Sequence, residues 1–359
     1  MEEKKGTDIN SFLKEKAPAI DWEIEKLFPR KIDKKWLEKS LGKALFEYDS
    51  ETATKSISEP IWDFLDRGGK RWRPALMLLA CEAVGGNAKK IFPFVSMPEL
   101  IHEGTIVADD IEDNSEQRRG KPCLHLIYGT DIALNDSNIM YFIPLILLYK
   151  NPLKLDAKTL LKIYDLYSEE MLRVSVGQGT DIYWHKGKKF DITEEQYLQM
   201  CLCKTGVLAR FSTKLGAILG KGKEKQADAL ARFGESIGVA FQIQDDILNL
   251  VGEEFQKGKG VGEDIHEGKR TLLVLYALKK ADEADRAMLL EILNSHPADT
   301  TVIKEAIEII RKYGAIDYAK TQAKMLVRDA WKGIDKVLKK SAAKEKLKAF
   351  ADYLIEREI

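Results

Sequence analysis

The sequence is poor in cysteine and proline, and it carries no excess of charge of either sign. Its 359 residues include four cysteines and ten prolines, and 57 lysines and arginines balance 57 aspartates and glutamates. A nucleic-acid-binding protein needs a basic surface that neutralises phosphates, so the zero net charge argues against that class. The cysteines show no CxxC spacing, which indicates buried thiols in a reducing compartment.

Signals for export, membrane insertion and P-loop chemistry are also missing. The first residues are charged and contain no apolar segment, so we predict no secretory signal. The longest apolar run, residues 141–149, contains Pro144 and is too short to span a bilayer. The Walker pattern GxxxxGK[ST] is absent, which argues against a P-loop enzyme. We therefore expect a cytoplasmic protein without a transmembrane segment.

Periodic apolar residues indicate helices along almost the whole chain. From Lys34 onward they recur at intervals of three and four residues, whereas strand-like alternation is scarce. Most prolines fall between these segments, and a hydrophobic content of 45% is enough for a substantial core. We predict an all-α protein, with one domain over residues 31–359 after an N-terminal extension of residues 1–30. The predicted helices span about 75–88, 93–113, 130–149, 158–178, 194–219, 226–250, 268–281, 285–294, 300–313, 315–337 and 341–359.

Two acidic clusters lie within largely apolar helical segments. Asp109 and Asp113 are four residues apart and share one helix face, as do Asp245 and Asn249. An acidic cluster alone is usually a solvated surface. Acids within core-type helices, however, are costly unless they serve a site. Ligands that are all oxygen favour a hard ion, and Mg²⁺ takes one or two carboxylates plus substrate phosphates.

Basic residues accompany the acidic ones. The GGKRWRP stretch places Lys70, Arg71 and Arg73 at the start of a helix, where the dipole and unpaired N–H groups favour anions. A basic surface loop is the alternative for any one such run. Arg118 and Arg119 follow the first acidic cluster closely, which makes sense if both groups hold the same polyanion.

Other polar residues interrupt the apolar pattern. His102 precedes Asp109 by two helical turns, although a lone histidine on an apolar helix is more often a core residue than a ligand. Lys204 and Thr205 interrupt an apolar helix, where the lysine needs an anionic partner. The glycine-rich stretch from 258 to 269 indicates a loop that presents Lys259 and Lys269.

Taken together and in this order, the motifs resemble those of the trans-isoprenyl diphosphate synthases over about residues 60–280. The DDIEDNS and GQGTDIYW stretches and the second DDxxN motif are similar to those of the eukaryotic-type geranylgeranyl diphosphate synthases. The resemblance implies a helical isoprenoid synthase bundle around a central cavity and a homodimer.

The resemblance also implies roles for individual residues. The residues that would bind Mg²⁺ bridging the diphosphate of an allylic substrate are Asp109, Asp113 and Asp245. Those that would hold the same diphosphate are Arg118, Lys204, Thr205, Gln242, Lys259 and Lys269, with the three aspartates, Lys204 and Lys259 counted as catalytic. Those that would bind isopentenyl diphosphate are Lys70, Arg73, His102 and Arg119. The allylic substrate would be dimethylallyl, geranyl or farnesyl diphosphate.

Small residues near the first acidic motif bear on product length. Gly104 and Thr105 lie about one turn before Asp109, where the family's farnesyl synthases carry a bulky aromatic residue that stops elongation. By the same resemblance, Tyr141 and Phe142 match the aromatic floor of the cavity, or are ordinary core aromatics. Ser175 falls where relatives carry a larger residue. We predict a twenty-carbon product, with twenty-five or fifteen carbons as alternatives.

Two other functions compete with this prediction. A terpene cyclase shares the helical fold but needs no isopentenyl site. A non-catalytic subunit of a heteromeric synthase is the second alternative, motivated by Asn249 at the usual position of an aspartate. Such a subunit would be expected to lose first-motif acids or diphosphate-binding cations, which this sequence keeps. An active synthase is therefore the favoured interpretation.

Overall fold

The computed structural model describes residues 8–187, 189, 191–251 and 262–356, and the regular secondary structure of these residues is almost entirely helical. Their α-helices are α1 Ile9–Leu27, α2 Lys34–Leu41, α3 Ser50–Ala53, α4 Glu59–Asp66, α5 Trp72–Ala83, α6 Ala88–Ile91, α7 Ser96–Glu112, α8 Leu124–Ile127, α9 Thr130–Phe142, α10 Ile146–Lys150, α11 Ala157–His185, α12 Glu194–Cys201, α13 Val207–Leu219, α14 Glu224–Val251, α15 Glu263–His266, α16 Leu272–Lys280, α17 Glu283–Ser295, α18 Thr300–Lys312, α19 Ala315–Asp335 and α20 Ala342–Glu356. The predicted all-α class is confirmed.

Shorter elements link these helices. Two π-helical segments are Thr54–Ser58 and Leu202–Gly206, and two 3₁₀ segments are Phe92–Val95 and Ile143–Leu145. The strands of the described part of the chain are β1 Gln117–Arg118 and β2 Lys121–Pro122, which pair in antiparallel fashion, with Arg118 opposite Lys121.

Polar side chains fix where many helices begin. Asp33, Asp282 and Asp299 precede α2, α17 and α18, and each carboxylate accepts a backbone N–H of the first turn. Thr193 and Gln196 form a reciprocal capping box at the start of α12. These caps satisfy N–H groups that lack partners inside the helix.

The described residues divide into two compact units. The first consists of Met1–Asp165 and Leu215–Gly222, and the second of Leu166–Lys214 and Lys223–Ile359. In the first unit, α7 packs against α1, α5 and α9. Ile20 and Ile24 of α1 are fully buried, so this helix contributes to the core of the first unit. The division of the chain into a 1–30 extension and a 31–359 domain stays a prediction.

In the second unit, α14 packs along α19 and against the π-helical segment Leu202–Gly206. Glycines permit the second of these contacts, because a Cβ atom at Gly238 would lie 2.7 Å from the Cα of Gly206. Phe233, Ile237 and Ile247 of α14 are fully buried. The helix therefore forms the core of its unit while its C-terminal half carries the second acidic cluster.

One described stretch, Thr130–Lys150, is long and apolar enough to cross a membrane by length and composition. Core helices of soluble proteins pass the same test, and 44% of its most apolar window is buried. The stretch is also interrupted, because α9 ends at Phe142 and a 3₁₀ turn containing Pro144 follows. The predicted single helix over 130–149 is thus two helices.

Candidate active site

The first acidic motif lies at the C-terminal end of α7. Asp109 belongs to the last turn and Asp113 is the C-cap residue, whose backbone N–H donates to the Asp109 carbonyl at 2.9 Å. Both side chains are half-buried. Two carboxylates at the negative end of a helix dipole repel each other and oppose the dipole, so a cation at this position is favourable.

Asp110, one of the two acids between them, has a different role. Asp110 is buried, and its Oδ1 accepts hydrogen bonds from Nε and Nη2 of Arg118 at 2.8 and 2.5 Å. Burial raises the pKa of Asp110 above its ordinary value, and the bonds from Arg118 oppose that rise. Asp110 therefore positions Arg118 rather than competing for a cation. The Arg118 side chain is still 36% exposed, so part of the guanidinium is accessible.

A buried pair of glutamates on α7 organises the neighbouring basic residues. Glu103 accepts from Arg71 Nη1 at 2.7 Å and, through both oxygens, from Arg119 Nη2 at 3.0 Å. Glu99, one turn earlier, accepts from Arg71 Nη1 at 2.9 Å. Burial, together with the charge of Glu99, raises the pKa of Glu103 to about 7. The two glutamates therefore hold the side chains of Arg71 and Arg119 in fixed positions.

Arg71 is therefore not available as a phosphate ligand, contrary to the grouping of Lys70, Arg71 and Arg73 in the sequence analysis. Its backbone is left-handed, with φ of 48°, and its buried side chain binds Asp21 at 2.7 Å in addition to the two glutamates. With this left-handed backbone, the Arg71 side chain points into the protein interior. Lys70 is exposed and Arg73 is buried, with its guanidinium 4.3 Å from the centre of the Trp72 ring.

His102 lies within this basic group. Its Nδ1 atom is buried and makes no hydrogen bond with the described residues. Burial and the positive charges of Arg73 and Arg119 hold the pKa of His102 well below its usual range. A neutral imidazole among arginines can donate a hydrogen bond to a phosphate oxygen without adding charge. Three of the predicted isopentenyl ligands, Arg73, His102 and Arg119, are thus brought together, with Lys70 in the adjoining loop.

The predicted chain-length residues of the first unit fall into two groups. A Cβ atom at Gly104 would lie 2.9 Å from Tyr141 Cε1 and 3.0 Å from the Ser137 carbonyl oxygen. Gly104 is thus small because α7 and α9 touch there, and Tyr141 lies directly behind it. Thr105 is half-buried and donates to the His102 carbonyl at 2.7 Å. Phe142, in contrast, is 63% exposed, so it does not join Tyr141 against α7.

The second acidic motif lies on α14, and it too combines a half-buried aspartate with a buried one. Asp245 is half-buried, whereas Asp246 is buried and accepts hydrogen bonds from the hydroxyl of Tyr197 and from Gln242 Nε2, the latter at 2.8 Å. Gln242 Oε1 in turn accepts from the Thr205 hydroxyl at 2.8 Å. Burial raises the pKa of Asp246 to about 6. The network orients Gln242 and Thr205, two predicted diphosphate ligands.

Lys204 has the anionic partner that the sequence analysis required. Its ammonium group lies 2.7 Å from Oδ2 of Asp181, and the two side chains are only 20% and 10% exposed. Lys204 belongs to the π-helical segment between α12 and α13, and Gly177 of α11 approaches its backbone so closely that a Cβ would lie 2.4 Å from Lys204 N. The pair makes Lys204 a fixed cation.

Asn249 contacts the first turn of α15. Its Oδ1 accepts from the backbone N–H of Asp264 at 3.3 Å. Asp264 lies 3.7 Å from the ammonium group of Lys269, which also contacts Glu267, and burial raises the pKa of Asp264 to about 7. Lys269 thus lies among carboxylates. Lys259 lies outside the described residues.

Ser175 is exposed on α11, and its hydroxyl donates to the Met171 carbonyl at 2.9 Å.

Sequence reasoning overlooked Glu99, Glu103, Asp181 and Tyr197. The two glutamates carried a signal, since acids four residues apart on an apolar helix need buried partners. Tyr197 carried none, because a tyrosine on a helix is ordinary.

The carboxylates fit a hard divalent cation. Within the described residues no three carboxylate, imidazole or thiol side chains form a metal cage by themselves. Mg²⁺ does not need such a cage, since it keeps several waters and completes its shell with substrate phosphates. Asp109 and Asp113, accessible oxygen donors without imidazole or thiol neighbours in the motif, suit that mode of binding.

Comparisons with known proteins agree with this chemistry. Residues 54–310 match the family model for polyprenyl synthetase. The short chain isoprenyl diphosphate synthase of Methanothermobacter thermautotrophicus is 37% identical over 321 residues, 86% of this chain and 96% of that protein. The geranylgeranyl diphosphate synthase of Methanosarcina mazei is 34% identical over 294 residues, 82% and 87% of the two chains. The crystal structure of geranylgeranyl pyrophosphate synthetase from Pyrococcus horikoshii has a TM-score of 0.84 at 32% identity, covering 98% of this chain and 99% of that one.

Proposed function

This chain belongs to the polyprenyl synthetase family, and we propose that it makes the twenty-carbon geranylgeranyl diphosphate from isopentenyl diphosphate and an allylic diphosphate. The predicted helical isoprenoid synthase fold and prenyltransferase activity are confirmed by these relatives. The product length, Mg²⁺, the residue roles, the cytoplasmic location and a homodimer belong to the proposal.

The observation that carries the proposal is the basic group around His102. A neutral, half-buried imidazole beside Arg73 and Arg119 offers a hydrogen bond to a diphosphate, and the two arginines offer charge. His102 lies on the same helix as Asp109, seven residues before it. A terpene cyclase has no need of a second diphosphate site, so this group favours a synthase.

The residues divide the chemistry between two diphosphates. Asp109 and Asp113, with Asp245 by family resemblance, would hold Mg²⁺, which when bound neutralises charge on the departing diphosphate. Lys204, fixed by Asp181, would stabilise the same developing charge as the allylic carbon–oxygen bond breaks. Thr205, Gln242, Arg118, Lys259 and Lys269 would orient that diphosphate, as the family resemblance implies.

The basic group on the first unit would hold isopentenyl diphosphate while its double bond attacks the allylic carbon. The resulting cation then loses a proton to complete the new double bond, and the diphosphate released from the allylic substrate would accept that proton. Apolar surroundings protect such cations from water. Thr105 carries no aromatic ring that would stop growth at fifteen carbons, and Tyr141, packed against Gly104, would limit further growth.

Incubation of the purified chain with labelled isopentenyl diphosphate, Mg²⁺ and each allylic primer in turn tests the proposal. We expect a twenty-carbon alcohol after dephosphorylation from dimethylallyl, geranyl and farnesyl diphosphates alike. Asp109→Ala should abolish incorporation, whereas Asp131→Asn, an exposed carboxylate change on α9, should not. A fifteen- or twenty-five-carbon product overturns the proposed length, and no incorporation with any primer favours a non-catalytic subunit.

A further inference from the structure

The loop between α2 and α3 exposes large apolar side chains at its tip. Leu45 and Phe46 are 88% and 91% exposed, the highest values among the large apolar side chains in the described part of the chain. Leu41, the last residue of α2, is 67% exposed. Keeping three neighbouring apolar side chains in water is unfavourable, so the tip offers an apolar contact to a binding partner.

The base of this loop is fixed by hydrogen bonds. The Tyr149 hydroxyl donates to the Ser40 carbonyl at 2.6 Å, and the Tyr48 hydroxyl donates to the Gly42 carbonyl at 3.1 Å. Gly42 ends α2 with φ of 97°, in a region that suits glycine. The apolar tip therefore protrudes from an anchored base.

Lysines precede the apolar tip in the sequence. Residues 31–47, which we term the docking segment, contain five lysines and three acids in a chain whose net charge is zero. All five lysines are exposed, namely Lys31, Lys34, Lys35, Lys39 and Lys43. Asp33 accepts the backbone N–H of Trp36, and Glu38 lies 4.0 Å from Lys34. Two of the three acids thus already have local partners.

Three of the remaining lysines lie along α2 and in the loop that follows it. Lys35 and Lys39 are four residues apart on α2, on the side opposite the buried Leu37 and Ser40. Lys43 follows at the next four-residue interval. None of these three lysines forms an ion pair with another described residue. An anionic partner can therefore engage them without breaking an existing pair.

We propose that the docking segment binds the surface of a membrane that contains anionic phospholipids. Leu45 and Phe46 insert among the headgroups while the lysines contact lipid phosphates. Such peripheral binding needs both apolar insertion and electrostatic attraction, because either alone is weak. A bilayer offers an anionic layer and an apolar layer at the same edge, which matches the segment. A nucleic acid offers phosphates but no apolar layer.

Membrane binding would place the enzyme where its product partitions. A twenty-carbon chain with a diphosphate head is an amphiphile, so release at a bilayer spares its tail from water. This reason rests on the proposed function, whereas the binding itself does not and is measured without substrate. Loss of binding and loss of synthase activity are therefore separate outcomes.

Sedimentation of the full chain with phospholipid vesicles tests the proposal. We expect binding to vesicles that contain phosphatidylglycerol, little binding to pure phosphatidylcholine, and weaker binding as salt rises, since exposed charges are screened over about 10 Å at 0.1 M salt. Leu45→Ser/Phe46→Ser should weaken binding at least tenfold. Lys35→Gln/Lys39→Gln/Lys43→Gln should weaken it by about a hundredfold at low salt, about fivefold for each lysine.

Matched variants elsewhere on the surface control for composition. Met288→Ser/Met325→Ser removes two exposed apolar side chains, and Lys336→Gln/Lys339→Gln/Lys340→Gln removes three exposed lysines. Both controls should bind vesicles as the unaltered chain does. Equal binding by the docking-segment variants, or no binding by the unaltered chain, overturns the proposal. So does a lower oligomer mass for Leu45→Ser/Phe46→Ser in light scattering, which would assign the tip to contact with a second copy.

Discussion

A buried carboxyl group on α9 gives the protein a pH-dependent stability that one substitution should remove. Asp136 is fully buried, and neither of its carboxylate oxygens has a hydrogen-bond partner among the described residues. Burial raises the pKa of Asp136 to about 8. Because its pKa in the unfolded chain is about 3.9, the unfolded state loses this proton at lower pH than the folded state. The free energy of unfolding therefore falls as the pH rises from about 4 to about 8.

The size of the effect follows from that interval. Each pH unit within it lowers the free energy of unfolding by about 1.4 kcal/mol through this group alone. Asp136→Asn keeps the size of the side chain and removes its titration. From about pH 5.5 to pH 7.5, the stability of the variant relative to the unaltered protein should rise by about 2.7 kcal/mol. Any packing cost of the amide is the same at both pH values and cancels.

Urea unfolding followed by far-ultraviolet circular dichroism at the two pH values measures this difference. Asp131→Asn, an exposed position on the same helix, is the control and should show no pH-dependent difference. A constant difference between Asp136→Asn and the unaltered protein would refute the reasoning. It would mean that Asp136 is ionised in the folded protein despite its burial.

Three further substitutions test the candidate site. Asn249→Asp should lower the Mg²⁺ concentration for half-maximal activity several-fold, because a carboxylate replaces a neutral ligand and can still accept the Asp264 N–H; an unchanged Mg²⁺ titration would contradict this. Asp181→Asn should raise KM for the allylic diphosphate about tenfold in steady-state kinetics, since Lys204 loses its charged partner. Equal rises in KM for both substrates would argue against Lys204 as a ligand of the allylic diphosphate. Glu103→Gln should lower the free energy of unfolding by about 3–5 kcal/mol, because two arginines lose a buried carboxylate, and an unchanged melting temperature would exclude it.

Much of the helical architecture could be predicted because apolar periodicity is a local property. The predicted helix over 93–113 corresponds to α7, and that over 315–337 corresponds to α19. Pro74 lies in the first turn of α5, as its missing N–H group suggests. The predicted helix over 194–219 instead contains a π-helical segment, which apolar spacing does not distinguish from a continuous α-helix.

The orientation of charged residues could not be read from the sequence. Lys70, Arg71 and Arg73 are indistinguishable as members of one basic run, and only the left-handed backbone at Arg71 turns that residue inward. In both acidic motifs the middle carboxylates, Asp110 and Asp246, serve as buried acceptors for neighbouring side chains. Which acid is buried depends on the packing of each helix, a tertiary property that residue spacing does not contain.

The π-helical segment Leu202–Gly206 makes chain length, as well as residue identity, a sensitive variable in this part of the protein. A π turn contains one residue more than an α turn, so the helices on its two sides are offset by about 100° from a continuous α-helix. Lys204 reaches Asp181, and Thr205 reaches Gln242, from inside this turn. Deleting a single residue here would regularise the helix and direct these side chains to other faces. The loss of one residue from the segment should therefore break both contacts even when Lys204 and Thr205 themselves are kept.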